Sequence, residues 1–279
     1  MPAISCRAAL AALSVAGSPF LRSFSLTEEG DWPWPVKNSL LTPLLARENG
    51  LGLEIAELCL ASYMDENRAE GERVIRQKLS YAPGVVLHGP YNELFPAAID
   101  PRATALAESR YSEALSAARS FGIRKLVIHS GFAPALYFES WFLDRSVWFW
   151  KKFLAEHPGD YMICLENVME TEPELLCRVV ERVNDERLRL CLDVGHAYRC
   201  SGLDPIHWLR CCAPWLSHFH IHNNEGVYDT HDALDAGHIA MEPFLHEAER
   251  LCPGATCAVE SLAAAESVRW LKEKGFLEV

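Results

Sequence analysis

A chain of 279 residues exceeds the usual single-domain size, yet its 49% hydrophobic content is ample for one large core. Barrels of alternating strands and helices run to about 250 residues as a single domain. The formal charge of -12 argues against a polyanion partner held mainly by a basic surface, because such binding is driven by Lys and Arg displacing counterions.

No apolar run approaches the length of a membrane span. Residues 1–35 are the least readable part. Arg7 followed by AALAALSVAG resembles a short signal peptide with a small-residue site near Ala16 to Ser18, but an alanine-rich first helix or an irregular lead-in is the preferred reading. A first strand is placed near Leu21 to Leu26, a loop at Asp31 to Pro35 (DWPWP), and a helix over Asn38 to Glu48 that stops near Gly50.

From there, short apolar runs alternate with longer stretches of helical period, the pattern of parallel strands joined by crossover helices. Strands are predicted at Leu51–Ile55, Val85–His88, Lys125–His129, Tyr161–Glu166, Leu188–Asp193, Leu216–His222 and Thr256–Glu260. Between them, helices are predicted at Glu66–Leu79, Arg102–Phe121, Ser140–Glu156, Glu172–Val183, Pro205–Cys212 and Met241–Leu251, with a last one at Ala265–Lys274. With the strand near residue 21 the units close into a single-domain α/β fold, a (β/α)8 TIM barrel over residues 1–279. A doubly wound open sheet is the competitor, but no glycine-rich dinucleotide fingerprint follows an early strand. Of the 10 cysteines, Cys59, Cys164, Cys177, Cys191 and Cys257 sit inside apolar runs, where a thiol acts as a small hydrophobe; reduced thiols and a cytoplasmic protein are expected.

In a barrel the C-terminal strand ends converge on one face. Those ends carry His88 (VVLHGPY), His129 (LVIHSG), Glu166 (ICLEN), Asp193 and His196 (LCLDVGH), His220 (HFHIHNN), Asp229 and His231 in the following loop, and Glu260 (CAVES). Neutral imidazole nitrogens and carboxylate oxygens are what a zinc-like or manganese-like divalent ion takes as ligands. A lone strand-end His is often only hydrogen-bonded, and Asp193 and His196 suit the cap of a following helix as well as a metal. A lone Glu after four apolar residues is harder to dismiss, because an unpaired buried carboxylate costs several kcal/mol. His218, His220 and His222 share one strand face by alternation, so the pattern does not choose among them; two of the three, His218 and His222, are expected to be structural. Ser or Cys nucleophilic catalysis has little support, since no GxSxG elbow occurs.

LDVGH (Leu192 to His196) and HIHNNEGVYDTH (His220 to His231) make the chain resemble the xylose isomerase-like TIM-barrel superfamily over roughly residues 50–265. That superfamily holds sugar and sugar-phosphate isomerases or epimerases and the endonuclease IV-type AP endonucleases. The resemblance implies, for the epimerase branch, one metal on Glu166, Asp193, His220 and Glu260. For the endonuclease IV branch it implies up to three zinc ions, adding His88, His129, His196, Asp229 and His231, with Tyr91 in HGPY where that branch contacts DNA. The chain departs from the pattern in three ways: the N-terminal motif of the repair enzymes is not visible, Asp235 stands where relatives tend to have glycine, and the active-face loops hold no cluster of Arg and Lys.

Two chemistries follow. In a hydrolase, zinc or manganese lowers the pKa of water toward about 7 and neutralises phosphoryl oxygens, with Glu166 shared between ions. In an isomerase, Glu166 and Glu260 exchange protons across an enediolate and His196 binds a substrate hydroxyl, which leaves His88, His129 and His231 without a task. The surplus of ligand-type residues favours phosphate-ester hydrolysis, on a small phosphorylated molecule rather than duplex DNA. A sugar isomerase is the alternative, and a non-catalytic metal-binding barrel comes third.

Overall fold

The computed structural model describes residues 7–10, 24–29, 41–80 and 84–277. The small-residue site near Ala16, the DWPWP loop and the start of the first predicted helix lie outside them. The elements, in chain order, are β1 (Arg7–Leu10), β2 (Phe24–Glu29), α1 (Leu41–Glu48), β3 (Gly52–Ile55), α2 (Ala61–Asp65), α3 (Arg68–Leu79), β4 (Val85–His88), α4 (Pro101–Ser120), β5 (Lys125–His129) and α5 (Glu139–Glu156). They continue with β6 (Met162–Glu166), α6 (Glu174–Val183), β7 (Leu188–Asp193), α7 (Val194–Ser201), α8 (Pro205–Cys212), β8 (Leu216–Ile221), α9 (Met241–Leu251), β9 (Thr256–Val259) and α10 (Ala264–Glu273).

Strands β2 to β9 lie side by side in sequence order and run parallel, with helices between them. β2 pairs with β3 on one side and, through Phe24 and Cys257, with β9 on the other, which closes the sheet into a TIM barrel. β2 begins three residues after the predicted Leu21: its pairing with β3 (Leu26 to Leu53, Thr27 to Glu54) sets the register, and its polar TEE end gives no apolar signal. β1 differs from the expected helix or irregular lead-in, because antiparallel pairing with β2 overrides the helical preference of RAAL.

Local chemistry sets the helix ends. Asp100 and Asp204 each cap a helix whose first residue is Pro, accepting from Arg102 N–H at 2.8 Å and Ile206 N–H at 2.9 Å. α7 had no predicted bounds, but it starts directly after β7 with the cap that Asp193 suited, the Asp193 side chain accepting from His196 N–H at 2.6 Å.

Two layers fill the fold. Between strands and helices lies the main core, where Trp150 stacks on Tyr111 at 5.8 Å and packs edge-on to Phe149 and Phe153. Inside the barrel, Val86, Val127, Cys164 and Cys191 form a separate small apolar plug. Strand residues alternate faces, so the positions two residues beyond this plug, His88, His129, Glu166 and Asp193, rise on the same inner face toward the C-terminal rim. The nine described cysteines are free thiols.

Candidate metal centre

Glu166, at the end of β6, is the middle of the cluster. Its Oε2 lies 3.4 Å from His88 Nε2 and 3.4 Å from His129 Nε2. Its Oε1 lies 3.4 Å from His220 Nδ1 and 3.4 Å from His196 Nδ1. His220 Nδ1 also faces Glu260 Oε2 at 3.6 Å and Asp193 Oδ2 at 3.9 Å. In the loop beyond, Asp229 Oδ2 lies 3.1 Å from both His196 Nε2 and His231 Nε2. All nine residues singled out as ligands therefore meet at one end of the barrel, in overlapping sets that place Glu166 between two of them.

Backbone carbonyls orient the rings. His88 Nδ1 lies 2.9 Å from Gly89 O, His196 Nδ1 3.0 Å from Asn167 O, and His231 Nδ1 2.7 Å from Glu260 O. A carbonyl only accepts, so each Nδ1 donates to it, and Nε2 is the ring nitrogen left on the side of the centre. His220 is reversed: its Nε2 lies 3.1 Å from Glu54 Oε1, which leaves Nδ1 for the centre. Glu54 also takes His218 Nε2 at 2.8 Å, and His218 Nδ1 meets Thr256 Oγ1, which accepts from Lys125 Nζ at 2.9 Å. A polar file thus runs up the barrel interior from Lys125 to His220.

Burial and charge set the proton balance. Burial alone would push the Glu54 and Glu166 carboxyls up, but the facing imidazoles outweigh it and hold both well below the usual range. Burial pulls His129 down to about 3, against the attraction of Glu166, so its ring is neutral as a ligand must be. Burial pushes Glu260 up to about 8. Burial also raises the Cys191 and Cys164 thiols, which keeps them protonated beside the centre.

A divalent cation fits what these residues lack. Glu166 Oε2, Asp193 Oδ2, His220 Nδ1, His222 Nδ1 and Asp229 Oδ1 are buried without a hydrogen-bond partner. Each unsatisfied buried group costs about 1–3 kcal/mol, and a cation satisfies them together. The donors are nitrogen and oxygen only, a set that zinc or manganese accepts.

Sequence reasoning missed three contributors. Glu54 sits inside a strand rather than at its end, although a Glu between apolar neighbours in LGLEI is the same signal as Glu166 in ICLEN. His222 was set aside with His218, yet it lies against Asp193 and Asp229, whereas His218 is committed to Glu54 and Thr256. Asn223 organises the ligand loop: its amide donates to Leu234 O and Ile239 O, and its Oδ1 accepts from Asn224 N–H and Ile239 N–H. Gly237 is what that loop requires in place of the glycine expected at Asp235, since a Cβ there would stand 2.3 Å from Asn223 Oδ1.

The mouth is acidic and apolar. Tyr91 lies with its ring 4.4 Å from that of His129. Leu136, Phe138, Val227 and Tyr228 are exposed. The loops 89–100, 130–138, 167–173, 222–240 and 260–263 contain no Lys or Arg.

The chain belongs to the xylose isomerase-like TIM barrel family, whose model matches residues 46–274. It is similar to the uncharacterized protein MJ1311 of Methanocaldococcus jannaschii, with 26% identity over 212 residues, 71% of this chain and 72% of that protein. A probable endonuclease 4 of Metamycoplasma arthritidis is 30% identical over 150 residues, 47% of this chain and 54% of that protein. Among solved structures, a D-tagatose 3-epimerase-like protein superposes with a TM-score of 0.68 at 22% identity, covering 79% of this chain and 86% of that one, a likeness of fold. No described helix is long and apolar enough to cross a membrane.

Proposed function

We propose that this chain is a metal-dependent hydrolase of phosphate esters, acting on a small phosphorylated molecule. The observation that carries the reading is Glu166, with one oxygen toward His88 and His129 and the other toward His220. A carboxylate so placed would serve two ions rather than one. His88, His129 and Glu166 would hold the first ion; Glu166, Asp193, His220 and Glu260 the second; and His196, Asp229 and His231 the third. Zinc is favoured and manganese is accepted. Such ions supply Lewis acidity, a nucleophile at neutral pH, and neutralisation of phosphoryl charge. The chain's own part is orientation: the carbonyls of Gly89, Asn167 and Glu260 and the Glu54 carboxylate fix which nitrogen each ring presents. Tyr91, with its ring beside that of His129, would contact substrate. The loops without Lys or Arg support a small substrate over duplex DNA, which needs cationic contacts to its phosphates.

A second reading, a one-metal sugar or sugar-phosphate isomerase, has its own support. Glu166 Oε1 and Glu260 Oε2 face the same His220 nitrogen at 3.4 and 3.6 Å, an arrangement suited to an acid–base pair. Metal analysis separates the two, since hydrolysis calls for more than one ion per chain. Turnover of a generic phosphodiester, set against ketose epimerisation with manganese, separates the reactions. Activity that survives both His88→Ala and His129→Ala sinks the multinuclear hydrolase and favours the isomerase. Nicking of an abasic duplex at low salt would restore DNA as substrate.

A further inference from the structure

We propose that His222 is a fourth protein ligand of the third ion, so that His196, His222, Asp229 and His231 together form a closed site. The inference rests on the multinuclear reading and changes what the third ion does. Family resemblance supplies only His196, Asp229 and His231 for that ion.

One donor atom from each of the four residues lies within 4.8 Å of all the others, and the His196, His222 and His231 rings are buried. His222 Nε2 stands 3.7 Å from Asp229 Oδ1 and 3.2 Å from Asp193 Oδ1. Its ring lies parallel to that of His231 at 3.9 Å. His222 Nδ1 and Asp229 Oδ1 are both buried without a hydrogen-bond partner. The floor beneath the ring is Gly195: a Cβ there would fall 2.0 Å from His222 Cε1 and 2.5 Å from each ring nitrogen. The glycine of LDVGH thus keeps open the space that His222 fills. Packing alone would be met by an apolar side chain at position 222 without burying an imidazole, since a buried polar group costs free energy unless it has partners.

Zinc held by four protein donors that serve no other ion is of the closed, structural kind, whereas a set that lends Glu166 to a neighbouring ion keeps a position for water or substrate. With His222 included, the third ion anchors the ligand loop and contributes charge. The chemistry then falls to the two ligand sets that share Glu166. The competing role for His222 is to hold Asp193 by the 3.2 Å contact and ligate nothing.

His222→Asn separates the roles, because an amide keeps a donor for Asp193. The metal-free wild type and variant are first compared by circular dichroism, then titrated with cobalt(II) and assayed for bound zinc. The wild type is expected to take three ions, one giving the intense visible absorption of four-coordinate cobalt. The variant is expected to lose that band, or to bind that ion at least about ten-fold more weakly. A variant that keeps all three ions with unchanged spectrum and affinity overturns the inference and leaves the multinuclear centre standing. A wild type that binds a single ion overturns both. Should the variant not fold, NMR of the cadmium-loaded wild type counts the histidines coupled to that ion. Three histidines support the closed site, and two overturn it.

Discussion

The barrel has two interiors built by opposite rules. Between strands and helices, large rings and branched chains interlock: Trp150, Phe142, Phe149, Phe153 and Tyr111 are among the largest fully buried side chains. Within the barrel, the apolar residues are small, and the space above and beside them is given to Glu54, His218, His220 and the ligand-type groups. The outer layer gains stability from area removed from water. The inner one places charge where burial makes each carboxylate and imidazole depend on a partner. Stability and metal binding should therefore separate by layer.

The largest stability effect is expected from Trp150→Ala in the outer layer. Removing that ring should cost about 3–5 kcal/mol in denaturant unfolding, while metal content per folded chain stays at the wild-type value. Lost metal at full folding would break the contrast.

Glu54→Gln tests the inner layer. The amide keeps the volume but not the carboxylate that orients His220. Competition with a chelator should show metal affinity down about 10–100-fold, the usual effect of losing a partner behind a ligand. Affinity equal to wild type would remove Glu54 from the centre's support.

Acid should oppose loading. Burial raises Glu260 from 4.5 to about 8, so in the metal-free protein it holds a proton below pH 8. An entering cation expels that proton, and affinity should rise between pH 6 and 8 with proton release seen by calorimetry in paired buffers. The same shift stabilises the metal-free fold below pH 4.5, and that contribution is lost as pH rises through 8. Affinity that falls with pH over this window would reverse the assignment.

The smallest effect belongs to the surface. Arg182→Ala removes an exposed pair with Asp144 at 2.8 Å and should change stability by less than about 0.5 kcal/mol, with metal content unchanged. A larger loss would mean the outer layer depends on surface charge.

Much of the outer layer was legible in sequence, since its apolar runs and helical periods follow from a fold that buries strand faces under helices. β8 and α9 match or fall within a residue of their predicted bounds. β1 was not legible and β2 only in part, because partner strands rather than their own residues decide where they pair. At the centre, strand-end positions identified the residues that converge. Alternation put His218, His220 and His222 on one face but carried no height along the barrel axis. Register supplies the height: Cys191 pairs with His218 and Asp193 with His220. Glu54 escaped notice because it approaches from beneath, mid-strand, where a search of strand ends does not look.

The mouth loops that hold Glu93, Glu172, Glu225 and Asp235 but no Lys or Arg impose an order of events. An empty vestibule of that sign draws divalent cations inward and turns phosphates away, a field that added electrolyte weakens. If the substrate is the phosphorylated molecule proposed above, only a charged-up centre can welcome it, so cargo would follow metal, and chelation would block substrate binding before it unmade the fold.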